Sequence, residues 1–256
     1  MSLDDIIYRR GPTAQERFLG SPKQSLLRWA NSDMIRLVCI SDTHNAHQSI
    51  PSPLPGGDIL MHAGDLTNSG TEAELDDVLS WLAVQPHAHE IFIGGNHDVG
   101  LSDAKTLDRL LAAYPELTYL EDSETMVTAC GRSLRIFGSP RTPRYGNAHH
   151  LDAGGLGCEA LLRALWVVRP LVHVFGHVHA GRGVERVRWS PAQQAQERLC
   201  AGIGEWLDII RVVSELIRLM VFGRYRVSVQ ETTLVNAACV HGWRDELRGA
   251  AFVVDI

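Results

Sequence analysis

Four short phrases in this 256-residue chain combine side chains able to hold a metal ion. They are Asp42-Thr43-His44, Gly64-Asp65, Gly94-Gly95-Asn96-His97-Asp98 and Gly176-His177-Val178-His179. Carboxylate, imidazole and amide together suit borderline divalent ions such as Mn²⁺, Fe²⁺ or Zn²⁺. None of the phrases holds a thiolate, which argues against a structural zinc knot. In an extended segment residues i and i+2 point the same way, so Asp42 with His44, and His177 with His179, each offer two ligands to one site. The set is too large for one ion, and Asp65 fits a bridging carboxylate. Two metals about 3.5–4 Å apart are the arrangement used for in-line displacement at phosphorus. No Ser-His-Asp or Cys-His arrangement points to a covalent intermediate. His47, His87, His89, His173 and His241 stand singly and are expected to be ordinary core or surface residues.

Each phrase closes a short, mostly apolar run. The runs are residues 35–40, 59–63, 90–93 and 171–175, each too short for a helix and of the texture of a buried strand. In α/β sheets ligands gather at the carboxyl ends of strands. Four loops are therefore expected to converge on one pocket. Helical patterns lie between the runs. Thr71-Glu72-Ala73-Glu74 is a capping box opening a helix to about residue 84, with Leu75, Val78, Leu79 and Leu82 on one face. Residues 101–113 and 158–168 are similarly periodic. The segments 126–129 and 134–137 flank Cys130-Gly131-Arg132-Ser133 and predict a hairpin. Residues 233–236 and 251–255 have the texture of strands. Ile203, Trp206, Leu207, Ile210, Val213, Ile217 and Met220 recur at helical spacing. The simplest assignment for that stripe is a core-facing helix, ahead of a partner helix or a membrane surface. Alternating strands and helices predict an α/β fold.

Composition narrows the classes. Apolar residues make up 45% and charged residues 21%, which is globular. The net charge is −6 and the pI about 6.0, which argues against a broad nucleic-acid or acidic-membrane footprint. No stable nucleic-acid partner and no membrane association are expected. The five cysteines, Cys39, Cys130, Cys158, Cys200 and Cys239, are odd in number and form no CxxC, as reduced thiols of a cytoplasmic protein would be. Residues 1–30 hold no apolar core of a signal peptide, and the stretch 209–222 is interrupted by Arg211, Glu215 and Arg218. Residues 1–34, with Gly-Pro and Ser-Pro breaks and a short helical pattern at 25–30, are expected to be an extension. Residues 35–256 are expected to form one domain.

The four phrases in this order resemble the calcineurin-like metallophosphoesterase superfamily. Ile40-Ser41-Asp42-Thr43-His44, His62-Ala63-Gly64-Asp65-Leu66-Thr67 and Phe175-Gly176-His177-Val178-His179-Ala180-Gly181 resemble its metallophosphoesterase-domain-containing, brain-protein-like subfamily. Gly138-Ser139-Pro140, Leu156-Gly157-Cys158-Glu159-Ala160-Leu161-Leu162 and Leu234-Val235-Asn236-Ala237 are similar to it too. The resemblance covers about residues 34–256. It implies a four-layer α/β/β/α sandwich of two mixed sheets, and two divalent metal ions (Mn, Fe, Zn or Mg, with Mn favoured). Asp42, His44 and His179 would hold one ion, Asp65 would bridge, and Asn96 and His177 would hold the second. His97 would stand near the leaving group as an acid or phosphate contact. For Asp98 the resemblance implies orientation of the His97 ring, beside an equal reading as a turn-stabilising carboxylate. The implied substrate is a small phosphodiester, cyclic nucleotides included, rather than a phosphoprotein.

One departure matters. Relatives carry a further metal-binding His in a Thr-His-Gly-Pro-Pro phrase, between the hairpin and the Gly-His-x-His loop. This chain runs from Gly138-Ser139-Pro140-Arg141-Thr142-Pro143-Arg144-Tyr145-Gly146-Asn147 almost directly to His150-Leu151-Asp152. An internal segment with a strand and one ligand is thus missing. The second ion would keep only Asp65, Asn96 and His177 from the protein; substitution by His149 or His150 is disfavoured, because in relatives a His before Leu-Asp belongs to the following loop. The alternative function is therefore a degenerate member that binds metal or nucleotide with little turnover. A metal-dependent amide or ester hydrolase uses similar ligands but ranks below, because the motif order is that of phosphoesterases. Arg141, Arg144 and Arg182 lie near the site loops and are expected to be solvated charge rather than phosphate ligands. Trp166, Trp189, Trp206 and Trp243 are expected to pack. The oligomeric state is open.

Overall fold

The structure, a computed structural model, describes residues 34–50, 53–141, 158–200, 202–222, 230–241, 246–247 and 249–256. The expectations for residues 1–33, for Arg144, His149 and His150, for Trp243 and for the His241 side chain lie outside these. The chain clusters into two compact units, one within 1–142, 174–183 and 235–256, the other within 143–173 and 184–234.

The first unit begins with β1 (Arg36–Ile40), β2 (Ile59–Ala63), α1 (Glu72–Ala83), β3 (His89–Ile93), α2 (Ala104–Ala113) and β4 (Leu117–Tyr119). A hairpin of β5 (Ser123–Ala129) and β6 (Arg132–Gly138) follows, antiparallel from Ser123↔Gly138 to Ala129↔Arg132. Next come α3 (Glu159–Val168), β7 (Val172–Phe175), β8 (Gly183–Arg188), α4 (Pro191–Cys200) and α5 (Trp206–Phe222). The chain continues through β9 (Glu231–Asn236), β10 (Val240–His241), β11 (Glu246–Leu247) and β12 (Phe252–Asp255). The main sheet has the order β12-β1-β2-β3-β4. β1 to β4 run parallel and β12 is antiparallel on β1, so the sheet is mixed. A second sheet has the order β7-β9-β8. Mixed sheets with helices make the α/β class expected from the alternation.

Local chemistry explains the elements that carry the site. β1 is buried along its whole length, as an apolar run between two sheet neighbours should be. Arg36 forks onto Asp255 with bonds of 2.7 and 3.0 Å and so pins β12 to β1. The capping box of α1 is present: Glu74 N–H donates to Thr71 Oγ1 at 3.3 Å and Thr71 N–H to the Glu74 carboxylate at 3.0 Å. Leu75, Val78, Leu79 and Leu82 are fully buried and pack with Val38, Leu60 and Phe92 in one core cluster.

Five features differ from the sequence pattern. Residues 99–102 form a 3₁₀ turn, so α2 starts at Ala104, where Asp103 caps Thr106 N–H. β4 is too short to show a period, and β8 interleaves Val184 and Val187 with charged residues. α4 was hidden by its polar composition. The apolar stripe of residues 203–220 is not core-facing. Trp206, Val213, Ile217 and Met220 are exposed at 67%, 46%, 55% and 83%. Among the described side chains, the least exposed positions of α5 are Asp208, Val212, Glu215 and Arg218. Asp208 is buried between Arg198 of α4, at 3.2 Å, and Arg211, at 3.0 Å. The Asp208 carboxylate also accepts the Glu205 N–H at 3.0 Å, so its donors and cations come from both helices and the turn before α5.

Candidate metal centre

Three of the four phrases emerge side by side because β1, β2 and β3 are parallel and in register, Ile40 opposite His62 and Ala63 opposite Ile93. The first two loops are then laced together. Asp42 N–H donates to Gly64 O at 2.9 Å, His44 N–H to Asp65 O at 3.2 Å and Asn45 N–H to Leu66 O at 3.1 Å. The fourth phrase arrives after β7, where His177 N–H donates to both Asp42 oxygens at 2.9 and 3.1 Å. Gly176 makes that approach possible. A Cβ there would overlap the Asp42 carboxylate and Ser41 Oγ. Gly95 is constrained in the same way against Asp65.

The backbone does not follow simple alternation. Asp42, His44, Asp65 and His177 all lie in the left-handed region, with φ of 51°, 41°, 51° and 70°. Asp42 and His44 share a site because the loop curls, not because an extended segment points them alike. Such conformations cost of order 1–3 kcal/mol each and persist where the surroundings hold them.

Asp42, His44 and His179 each offer a ligand atom, and those atoms lie within 4.8 Å of one another. His179 Nε2 stands 3.1 Å from Asp42 Oδ1. The His44 ring meets the His179 ring at 5.3 Å and the His97 ring, edge-on, at 4.7 Å between centroids. Asp42 is fully buried and His44 nearly so, yet neither nitrogen of His44 has a hydrogen-bond partner. Beside this group, Asp65 Oδ1 accepts the His97 N–H at 2.9 Å and Oδ2 lies 3.9 Å from His177 Nδ1. Burial pushes the Asp65 carboxyl up, but the His177 imidazole and the His97 N–H outweigh it and hold it below the usual carboxylate range. The same carboxylate raises the half-exposed His177 above its ordinary value. Asn96 is exposed on the loop between Gly95 and His97.

Asp98 does not orient the His97 ring. His97 Nδ1 bonds instead to the Asn68 carbonyl at 2.8 Å. The Asp98 carboxylate is saturated elsewhere. Oδ2 accepts Leu66 N–H at 3.0 Å and Gly95 N–H at 2.8 Å; Oδ1 accepts Thr67 N–H at 2.9 Å and Thr67 Oγ1–H at 2.7 Å. It clamps the loop after β2 to the loop after β3, so it positions Asp65 and His97 rather than touching a reactant. Burial raises its carboxyl above the ordinary value, against those four donors.

Two further residues hold the loops and were not singled out from sequence. His62, buried in β2, stands with Nε2 3.0 Å from Thr43 Oγ1, which donates to Leu66 O at 3.0 Å. Thr43 therefore accepts from His62 Nε2–H, and burial pushes His62 down to about 3, keeping it neutral. Asn236 donates from Nδ2 to Val178 O at 2.9 Å and steadies the His177–His179 turn. The phrase Leu234-Val235-Asn236-Ala237 was a signal for it. Arg141 pairs with Asp122, and Arg182 lies 4.0 Å over the Phe252 ring with Nη2 donating to Ala250 O.

A model of the family described as calcineurin-like phosphoesterase matches residues 35–197. The chain belongs to the calcineurin-like phosphoesterase family. It is 37% identical over 291 residues to an Emericella nidulans protein named probable rhamnogalacturonate lyase C, covering 100% of this chain and 26% of that one. It is 31% identical over 207 residues to metallophosphoesterase domain-containing protein 1 of Homo sapiens, covering 58% of this chain and 62% of that one. A UPF0046 protein of Caenorhabditis elegans is 30% identical over 198 residues, covering 59% and 70%. The chain thus spans about a quarter of the fungal relative and under two thirds of the human one. The fungal alignment runs over 291 positions although this chain is 256 residues long, so that relative carries residues opposite gaps here.

The family uses divalent metal ions, and the residues present fit one. The donor set is carboxylate and imidazole, and the buried, unpartnered His44 nitrogens are otherwise an unexplained cost of about 1–3 kcal/mol each. Among the described residues, no helix is long and apolar enough to cross a membrane.

Proposed function

We propose that this chain is a metal-dependent phosphodiesterase acting on small or cyclic-nucleotide-type esters, with manganese as the favoured ion at two adjacent positions. The carrying observation is the Asp42, His44 and His179 group with its two unsatisfied buried nitrogens. Those three residues would hold one ion. Asp65, whose oxygens face His97 N–H and His177, would be shared, with Asn96 and His177 completing the second position. A bound divalent ion supplies Lewis-acid neutralisation of phosphoryl charge and activation of water near neutral pH. His97 donates Nδ1–H to the Asn68 carbonyl, which leaves Nε2 to hold or deliver a proton to the departing oxygen. Arg141 and Arg182 are engaged elsewhere, with Asp122 and over the Phe252 ring.

The test is hydrolysis of bis-p-nitrophenyl phosphate by metal-stripped protein, with Mn²⁺ restored and Asp65→Asn as control. Manganese-dependent turnover lost in the variant supports the reading. Turnover unchanged by Asp65→Asn overturns the shared-carboxylate mechanism, and faster cleavage of p-nitrophenyl phosphate than of the diester overturns the substrate class.

A second reading rests on the exposure of Asn96 and the half-exposure of His177. With so open a second position and no further His phrase in the sequence, the chain would bind one ion tightly, retain nucleotide and turn over little. A calorimetric Mn²⁺ titration separates the two, since two tight sites argue against this second reading.

A further inference from the structure

The residues of α5 that face solvent follow a repeat. Trp206, Ile209, Val213, Leu216 and Met220 are spaced three and four apart in turn, the a and d positions of a heptad, and all are exposed. Ile210 and Ile217 widen the stripe on one side, at 52% and 55% exposure. At this exposure the face presents on the order of 700 Å² of apolar surface. That exceeds the largest apolar patch of a typical monomer, about 300–600 Å². It approaches the roughly 800 Å² that each partner of a standard interface buries.

The opposite face is already satisfied. Asp208 takes Arg198 and Arg211, and Arg218 forks onto Glu215 with bonds of 2.6 and 2.9 Å. α4 and α5 form an antiparallel helical hairpin. Arg198 near the end of α4 meets Asp208 near the start of α5, while Ser190 and Pro191 at the start of α4 share a small cavity with Arg218. Such a hairpin is half of a four-helix bundle.

Charge decides between occupants. The residues of α5 that carry charge are Asp208, Arg211, Glu215 and Arg218, which cancel, and the whole chain is −6. An interfacial helix draws on basic residues for anionic lipid, and this one has no surplus. A second copy of the same uncharged stripe meets no like charge and closes by two-fold symmetry. We propose that α5 is a homodimer interface, its heptad seam packing on the same seam of a second copy to complete a four-helix bundle.

Sedimentation velocity of the full chain over about 1–50 µM tests this. The wild type is expected at twice 28.3 kDa. Val213→Glu/Ile217→Glu, and separately Met220→Glu, are expected to weaken association at least 100-fold with unchanged circular dichroism. Val84→Glu, at a site 76% exposed on another element, is expected to leave the dimer intact. A wild type monomeric throughout overturns the proposal, as does a dimer that persists in both seam variants. A monomer that floats with phosphatidylcholine vesicles, and loses flotation in the seam variants, also overturns it, because the surface is then a lipid-binding one.

Discussion

Replacing Asp98 by Asn separates a clamp from a catalytic partner. The carboxylate lies 98% out of solvent and serves two donors on each oxygen. In Asp98→Asn the remaining oxygen can keep the Leu66 and Gly95 N–H groups. The amide nitrogen then faces Thr67. The Thr67 hydroxyl can turn and accept, but the Thr67 N–H loses its acceptor. One orphaned buried N–H costs about 1–3 kcal/mol. Charge assistance on the two retained bonds is lost as well, but so is the burial cost of the charge, which outweighs the four donors. The expected loss is about 1–3 kcal/mol, a substantial part of a typical folding stability of about 5–15 kcal/mol. Asp98→Ala, which orphans all four donors, is expected to lose more. The assay is urea unfolding with chelator present, so that cation binding does not mask the loss. Because the Asn68 carbonyl fixes the His97 ring, the pH dependence of diester hydrolysis by Asp98→Asn should keep its wild-type shape. If Asp98→Asn unfolds within about 0.5 kcal/mol of wild type while the pH–rate profile shifts, the carboxylate works through His97 and this account fails.

Two further outcomes follow from the same loops. His62 is neutral in the fold, pushed down to about 3 by burial, against an ordinary value of 6.5. Its contribution is complete above pH 6.5 and is lost as pH falls from there toward 3, at up to about 1.4 kcal/mol per pH unit. Chelated His62→Gln should therefore show a flatter decline of unfolding free energy between pH 6.5 and 4.5, and an unchanged slope would refute the buried neutral assignment. His44→Asn removes a candidate ligand and relieves two unsatisfied nitrogens, at a position whose φ of 41° asparagine tolerates. Without metal it should match wild type within about 1 kcal/mol. Saturating Mn²⁺, worth about 2.7 kcal/mol at 100 times Kd, should raise the melting temperature of wild type and not of the variant. An equal rise in both would mean that the ion sits elsewhere.

Much of the site was legible because its signals are local. Apolar runs ending in Gly, Asp, Asn and His named β1, β2, β3 and β7, and a ligand type needs no geometry to be recognised. The Thr71 capping box placed the start of α1 for the same reason, since donor and acceptor are three residues apart. For Asp98 the sequence left two readings open, of which the loop-stabilising one holds, and the role of His62 was not legible. Their partners, Leu66, Gly95 and Thr43, are brought near by the parallel register of β1, β2 and β3, and a hydrogen bond leaves no periodic trace. The curl that joins Asp42 to His44 was hidden too, since a left-handed φ at Asp or His has no compulsory sequence mark.

The amino-acid sequence by itself determined the candidate ligand types, the strands that end in them and an α/β alternation, because these depend on neighbours within one strand or turn. Tertiary structure alone decided which candidate ligands meet, through Asp42 receiving the His177 N–H from the loop after β7, far along the chain. It also decided which face of α5 turns outward. An amphipathic stripe predicts that one face is sheltered but not what shelters it, and the pairing of Asp208 with Arg198 on another helix leaves no periodic trace within α5.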